Sequence, residues 1–95
     1  MILTKRKPVS VGEMLTEEFM EPMNIDQGQL AKALGVARKT ANELCNDKTS
    51  ITADTALMLA KVFGNSAEFW LNLQNNWELS QLKEASFENI RPVAA

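Results

Sequence analysis

The chain contains no histidine. That absence removes the commonest general base and the commonest metal ligand together, so neither hydrolytic nor metal chemistry is expected, and no cofactor is implied. The carboxylates that remain sit on exposed helix faces without convergent partners, which argues against an enzyme. With one cysteine, Cys45, no intrachain disulfide can form, and its helical phase beside Leu44 marks it as a small buried hydrophobe. No apolar run approaches the ~20 residues of a membrane-spanning helix. The stretch from Met1 to Pro8 is charged but lacks a following apolar block and cleavage site, so no secretory signal is expected and the chain is placed in the cytoplasm. Period-two alternation, internal repeats and low-complexity tracts are also missing, which leaves helices as the only regular structure to expect.

What is present suits one soluble globular domain: 95 residues, 45% of them hydrophobic and 23% charged. A net charge of -2 argues against a wholly basic nucleic-acid binder, yet the signs are unevenly placed. Lys5, Arg6 and Lys7 make the first residues basic. Glu13, Glu17, Glu18 and Glu21 make the next stretch acidic, and Lys32, Arg38, Lys39 and Lys48 follow as a second group of cations. A basic face on an acidic protein is the result.

The apolar spacing predicts an all-α, compact five-helix domain. Ser10-Val-Gly-Glu13 is a capping box that starts the first helix; Met14, Leu15 and Phe19 form its stripe, and Pro22 should end it near Met20. Asp26 with Gln29 is a second box-like start, for a helix running to Leu34. Gly35 then turns the chain into a third helix from about Arg38 to Cys45, with Ala37 at a cap position better suited to a hydroxyl or carboxamide. Thr52 caps a fourth helix that Gly64-Asn65 ends. Ser66 caps a fifth, running to about Leu82. Residues 1–9 are read as a basic arm, 10–85 as the domain that binds DNA and dimerises, and 86–95 as a flexible tail.

The second and third helices carry apolar residues at Leu30, Ala31 and Leu34 and again at Ala41, Leu44 and Cys45, joined by a tight glycine turn. This is the pattern of a helix-turn-helix. The B-DNA major groove admits one helix, and with its apolar side turned inward the third helix offers Ala37, Arg38, Lys39, Asn42, Glu43 and Asn46 outward. Arg38 can pair with guanine, Asn42 with adenine, Lys39 with guanine or phosphate, and Glu43 with cytosine. Gln27, Lys32, Thr40, Lys48 and Thr49, with Ser50, are candidates for phosphate contacts. Two helices about a glycine turn also occur in proteins that never touch DNA, and a helical protein-interaction module with merely solvated cations is the alternative.

The fifth helix is rich in large apolar residues. Trp70, Leu73 and Trp77 recur at one helical stripe, and Leu79 and Leu82 extend past the expected end of the bundle. Core packing accounts for the first part; an isologous dimer would bury the rest, giving an interface of Trp70, Leu73, Trp77, Leu79 and Leu82. A homodimer would also set two reading helices on a palindrome.

Several stretches carry a family resemblance: Gly12-Glu-Met-Leu-Thr-Glu-Glu-Phe19 with Pro22, Gln29-Leu-Ala31 with Leu34-Gly-Val36, Ile51-Thr-Ala-Asp-Thr-Ala-Leu57, Leu59-Ala-Lys-Val-Phe-Gly64, and the more distinctive Glu68-Phe-Trp-Leu-Asn-Leu-Gln74. On these residues, spanning about 7 to 83, the chain resembles the HigA/VapI-like antitoxins, a branch of the helix-turn-helix repressors related to phage repressors and Cro. The resemblance implies a repressor-like fold and an autoregulator that binds its palindromic operator as a dimer. It also implies a partner, a HigB/RelE-type mRNA-cleaving toxin that the chain neutralises; a free-standing regulator without a toxin is the alternative. Three positions depart from the family: Ala37 replaces a common serine or threonine, Gly28 a larger polar residue, and Trp77 a common tyrosine.

Overall fold

In the computed structural model, residues 8–82, 87 and 89–93 are described, and among them all regular structure is helical. Ser10 opens the first of five helical bodies. Its side-chain oxygen accepts from the Glu13 amide at 3.1 Å, which is half of the expected capping box. A second acceptor for this helix start comes from distant chain: the Ser10 hydroxyl donates to the Asp47 carboxylate at 2.5 Å, and Asp47 also accepts from the Gly12 amide at 2.8 Å.

The first body is continuous through α1 (Val11–Glu13), a π-helical stretch (Met14–Met20) and α2 (Glu21–Met23). The stop expected near Met20 is therefore corrected, because the helix passes Pro22 and ends at Asn24, whose φ of 58° is left-handed. Proline stops an α-helix by striking the carbonyl four residues back and by lacking an amide. Here the preceding coil is widened, with the Glu21 amide donating to the Thr16 carbonyl, and Pro22 falls in the first turn of α2, where a missing N–H costs little. The Thr16 hydroxyl donates to the Gly12 carbonyl at 2.9 Å within the same coil.

Asp26 and Gln29 complete a reciprocal capping box at 2.8 and 2.9 Å and start α3 (Gln27–Leu34). Gly35, at φ 74°, closes α3 in the left-handed conformation and turns the chain toward α4 (Arg38–Cys45), whose cap residue Ala37 supplies no side-chain bond. Thr52 occupies the cap position of α5 (Ala53–Phe63), but by a different device than expected. Its hydroxyl binds the Asp54 carboxylate, and that carboxylate takes the Thr55 amide at 2.9 Å. Gly64 ends α5, and the Ser66 hydroxyl accepts from the Phe69 amide at 3.0 Å to start α6 (Ala67–Leu82).

The core gathers one stripe from each body. Leu15, Leu30, Ala41, Ala56, Leu59 and Trp70 are all fully buried. Phe19 reaches from the first body to Phe63 and Trp70, with ring centroids 5.0 and 5.3 Å away, and the Trp70 indole donates to Asn65 at 2.7 Å. Trp70 thus has no surface left for a partner and belongs to the core, a correction to its place in the expected dimer interface. That interface also divides. Trp70, Leu73 and Trp77 share the inward side of α6, whereas at 100° per residue Leu79 and Leu82 lie about 160° and 140° around the helix from Trp77. Leu79 and Leu82 are 67% and 53% exposed.

Of the expected basic arm, 1–9, only Pro8 and Val9 fall within the described residues; Lys5, Arg6 and Lys7 lie outside them. In the expected tail, 86–95, the Ile90 amide donates to the Phe87 carbonyl at 2.9 Å. No helix among the described residues is long and apolar enough to cross a membrane.

Candidate nucleic-acid interface

Burial of Ala41, Leu44 and Cys45 fixes the rotation of α4 about its own axis. Lys39, Asn42, Glu43 and Asn46 are thereby turned outward, and Arg38 and Thr40 stand on opposite flanks, about 160° apart on the helical wheel. Arg38, Lys39, Asn42 and Asn46 are exposed; Thr40 and Glu43 are half-buried. The side chains of Arg38, Lys39 and Lys48 make no ion pair among the described residues, so their charge is available to an incoming anion.

α3 and α4 meet near the N-terminal end of α4. The Asn42 carboxamide donates to Gln27 Oε1 at 3.0 Å, tying the recognition helix to the first residue of α3. One Asn42 N–H is used in that bond. Its Oδ1 and remaining N–H are the acceptor and donor that a bidentate pairing with adenine requires. Gln27 keeps its own side-chain N–H groups and lies beside the first two amides of α3, since the Asp26 carboxylate occupies the Gln29 amide. Those groups suit a phosphate oxygen, with Asp26 as the nearby repulsive charge.

Gly28 explains where Arg38 lies. A Cβ built on Gly28 would stand 3.3 Å from Arg38 Nη1 and 3.4 Å from Asp26 Oδ1, so the bare backbone leaves the guanidinium room against the start of α3. The departure noted in the sequence thus lies against one of the residues expected to read bases.

The segment after α4 carries the other phosphate candidates. Asp47 has a left-handed φ of 57°, and the Lys48 amide donates to the Glu43 carbonyl at 2.9 Å, which folds Lys48, Thr49 and Ser50 back beside the end of α4. All three side chains are exposed. Lys32 does not join this group, because it stands about 140° around α3 from Gln27, on the side turned from α4. Thr40 is also separate from Arg38. The structure therefore brings together Gln27, Arg38, Lys39 and Asn42 at one end of α4, Glu43 and Asn46 along it, and Lys48, Thr49 and Ser50 beyond it.

Two contributors went unread in the sequence. Asp47 gave no signal beyond a polar turn. Gln74 did: it is a polar residue placed on the same inward side of α6 as Trp70 and Trp77. Its carboxamide pairs with both backbone groups of Ile51, accepting from the amide at 2.6 Å and donating to the carbonyl at 3.0 Å. Under the motif, Cys45 Sγ lies 3.7 Å from Met20 Sδ, and burial, followed by the Asp47 charge, pushes its thiol above the usual range.

The profile of the helix-turn-helix family matches residues 17–70, from the first helical body through α3 and α4 to Trp70. The antitoxin HigA-1 of Vibrio cholerae is 53% identical over 93 residues, covering 95% of this chain and 88% of that protein. The chain belongs to the helix-turn-helix family that includes the HigA antitoxins. A second relative, an uncharacterised helix-turn-helix transcriptional regulator of Haemophilus influenzae, is 46% identical over 93% of this chain and 87% of its own length. Among solved structures, the antitoxin GraA in complex with its operator is similar at a TM-score of 0.81 and 34% identity, covering 93% of each chain. The family is one of DNA-binding regulators and antitoxins rather than an enzyme class.

Proposed function

We propose that the chain is a sequence-specific transcriptional repressor that occupies a palindromic operator in double-stranded DNA at its own operon and serves as the antitoxin of a type II pair. The carrying observation is the Gln27–Asn42 bond, which holds a base-reading carboxamide at the junction of the two motif helices among cations that make no ion pair with the described residues. Arg38, Lys39 and Asn42 read base edges, with Glu43 beside them selecting against ill-placed bases. Gln27, Lys48 and Thr49 hold phosphates and set the register. The kinship to HigA-1 supports the antitoxin role, in which the chain neutralises a HigB/RelE-type mRNA-cleaving toxin.

Two copies act together in this reading. The exposed Leu79 and Leu82 are the part of the expected interface that a second chain would cover; the complex works in the cytoplasm, where the operator lies. Nuclease protection of the region upstream of the chain's own reading frame tests the proposal. Protection of a palindrome is expected. Equal binding to that duplex and to a scrambled one would overturn the repressor reading, and failure to co-purify with the product of an adjacent short reading frame would overturn the antitoxin reading alone.

A further inference from the structure

The segment with Lys48, Thr49 and Ser50 is held from two directions. On one side the Asp47 carboxylate closes on Ser10 and Gly12. On the other, Gln74 pairs with both backbone groups of Ile51, the way a neighbouring strand would, and one turn later the Glu78 carboxylate accepts from the Ser50 hydroxyl at 3.3 Å. Residues four apart share a helix face, so Gln74 and Glu78 form a single grip. Between this grip and the segment lies a cleft of about 190 Å³ that Trp77 also lines. The segment is further fastened at its two ends, by the Lys48 amide on the Glu43 carbonyl and by the buried Ile51 side chain, whereas Lys48, Thr49 and Ser50 themselves are exposed and outside any helix.

We infer that Gln74 is a positioning residue for DNA binding: it sets where Lys48 and Thr49 meet the phosphate backbone, without touching DNA itself. This rests on the DNA-binding reading above. Holding the backbone that carries these side chains in place before association spares the ordering cost that a free segment would meet on binding. It also joins the helix bearing Leu79 and Leu82 to the phosphate contacts, so α6 and the DNA-facing segment move as one piece.

The effect is read as the salt dependence of binding to a fluorescent duplex selected by the wild-type chain from a randomised pool. Each phosphate contact contributes a slope of about -0.9 in log affinity against log salt. Gln74→Met keeps the side-chain length and removes both bonds; Gln74→Ala, favoured by helix propensity, serves in its place if the first variant does not fold. We expect either folded variant to bind several-fold more weakly at low salt, with a slope shallower by about 0.9 or more, while the preference for the selected duplex over a scrambled one is retained. Asn65→Ala, which removes the Trp70 partner near the start of the same helix, should lower thermal stability and leave the slope unchanged. A wild-type slope in the folded Gln74 variant overturns the inference. Absence of salt-dependent binding by the wild-type chain instead overturns the DNA-binding reading beneath it.

Discussion

The Asp47 carboxylate accepts from the Gly12 amide at 2.8 Å, across 35 positions of chain. An acceptor is expected at the start of a helix, where the first amides have no partner within the helix. What is unusual is its source, the segment that leaves the recognition helix. The left-handed backbone of Asp47 turns its carboxylate toward α1, and the lack of a side chain at Gly12 permits the approach: a Cβ there would lie 2.4 Å from the Cys45 carbonyl oxygen and 2.9 Å from both Asp47 oxygens. The first helical body and the end of α4 are thus fastened at one point.

Gly12→Ala should accordingly destabilise the chain, although alanine is the better helix former. The obstructing atom is backbone, so relaxation must move α1 away from α4, and a loss of about 1–3 kcal/mol is expected. Asp47→Ala leaves space intact but strands the Gly12 amide and the Ser10 hydroxyl, for a loss of about 1–2 kcal/mol. Urea unfolding followed by circular dichroism measures both; an unchanged midpoint in Gly12→Ala would show that the approach is not needed.

Gly28→Ala should do the opposite. The group it would crowd is the far end of the exposed Arg38 side chain, 3.3 Å from the added Cβ, which can swing aside. Within α3 the substitution should raise stability by about 0.5–1 kcal/mol. Displacing Arg38 should at the same time weaken operator binding. Higher stability with undiminished affinity would separate Gly28 from the reading function.

Much of this architecture was legible because each helix announces itself locally. The Asp26–Gln29 box, Gly35 and Gly64 are short-range signals, and the structure realises them at the residues named. What escaped depends on distant chain. Pro22 reads as a stop until the π-helical stretch before it is seen, and the partner of Ser10 sits 37 residues away. Trp70, Leu73 and Trp77 read as one stripe, correctly, but which part of it is covered depends on Phe19 and Phe63 from two other bodies. The site was legible as a set of polar residues on α4, since its apolar side was plain. The grouping of Gln27 with Asn42, and the separation of Lys32, follow from how α3 crosses α4, which no local pattern encodes.

The buried thiol gives a pH prediction. Burial pushes the Cys45 pKa above its ordinary 9.0, and the Asp47 carboxylate acts in the same direction. The unfolded thiol therefore ionises first as pH climbs. Stabilisation by the neutral buried thiol is complete below 9.0 and is lost as pH rises through the higher folded value. The unfolding free energy of the wild-type chain, minus that of Cys45→Ala, should be level through neutral pH and fall in the alkaline range. A difference that rose there would reverse the assignment. Iodoacetamide should label the folded chain slowly and the urea-unfolded chain quickly.

Arg38 and Lys48 should fail differently when truncated. Arg38 stands at the N-terminal end of α4, where a bidentate pair with guanine is worth about 1–3 kcal/mol of discrimination. Arg38→Ala should lose that much affinity for the selected duplex, and its preference should relax at one base pair in each half-site. Lys48 lies beyond the helix, on the segment proposed to face the phosphate backbone, and in that role carries no sequence information. Lys48→Ala should weaken all duplexes alike and reduce the salt slope by about 1. Binding titrations over a panel of single-base variants, each repeated at several salt concentrations, resolve the two patterns. Should Lys48→Ala alter base preference and Arg38→Ala alter only the salt slope, the roles would be exchanged, and the segment after α4 would have to enter the groove in place of the start of the helix.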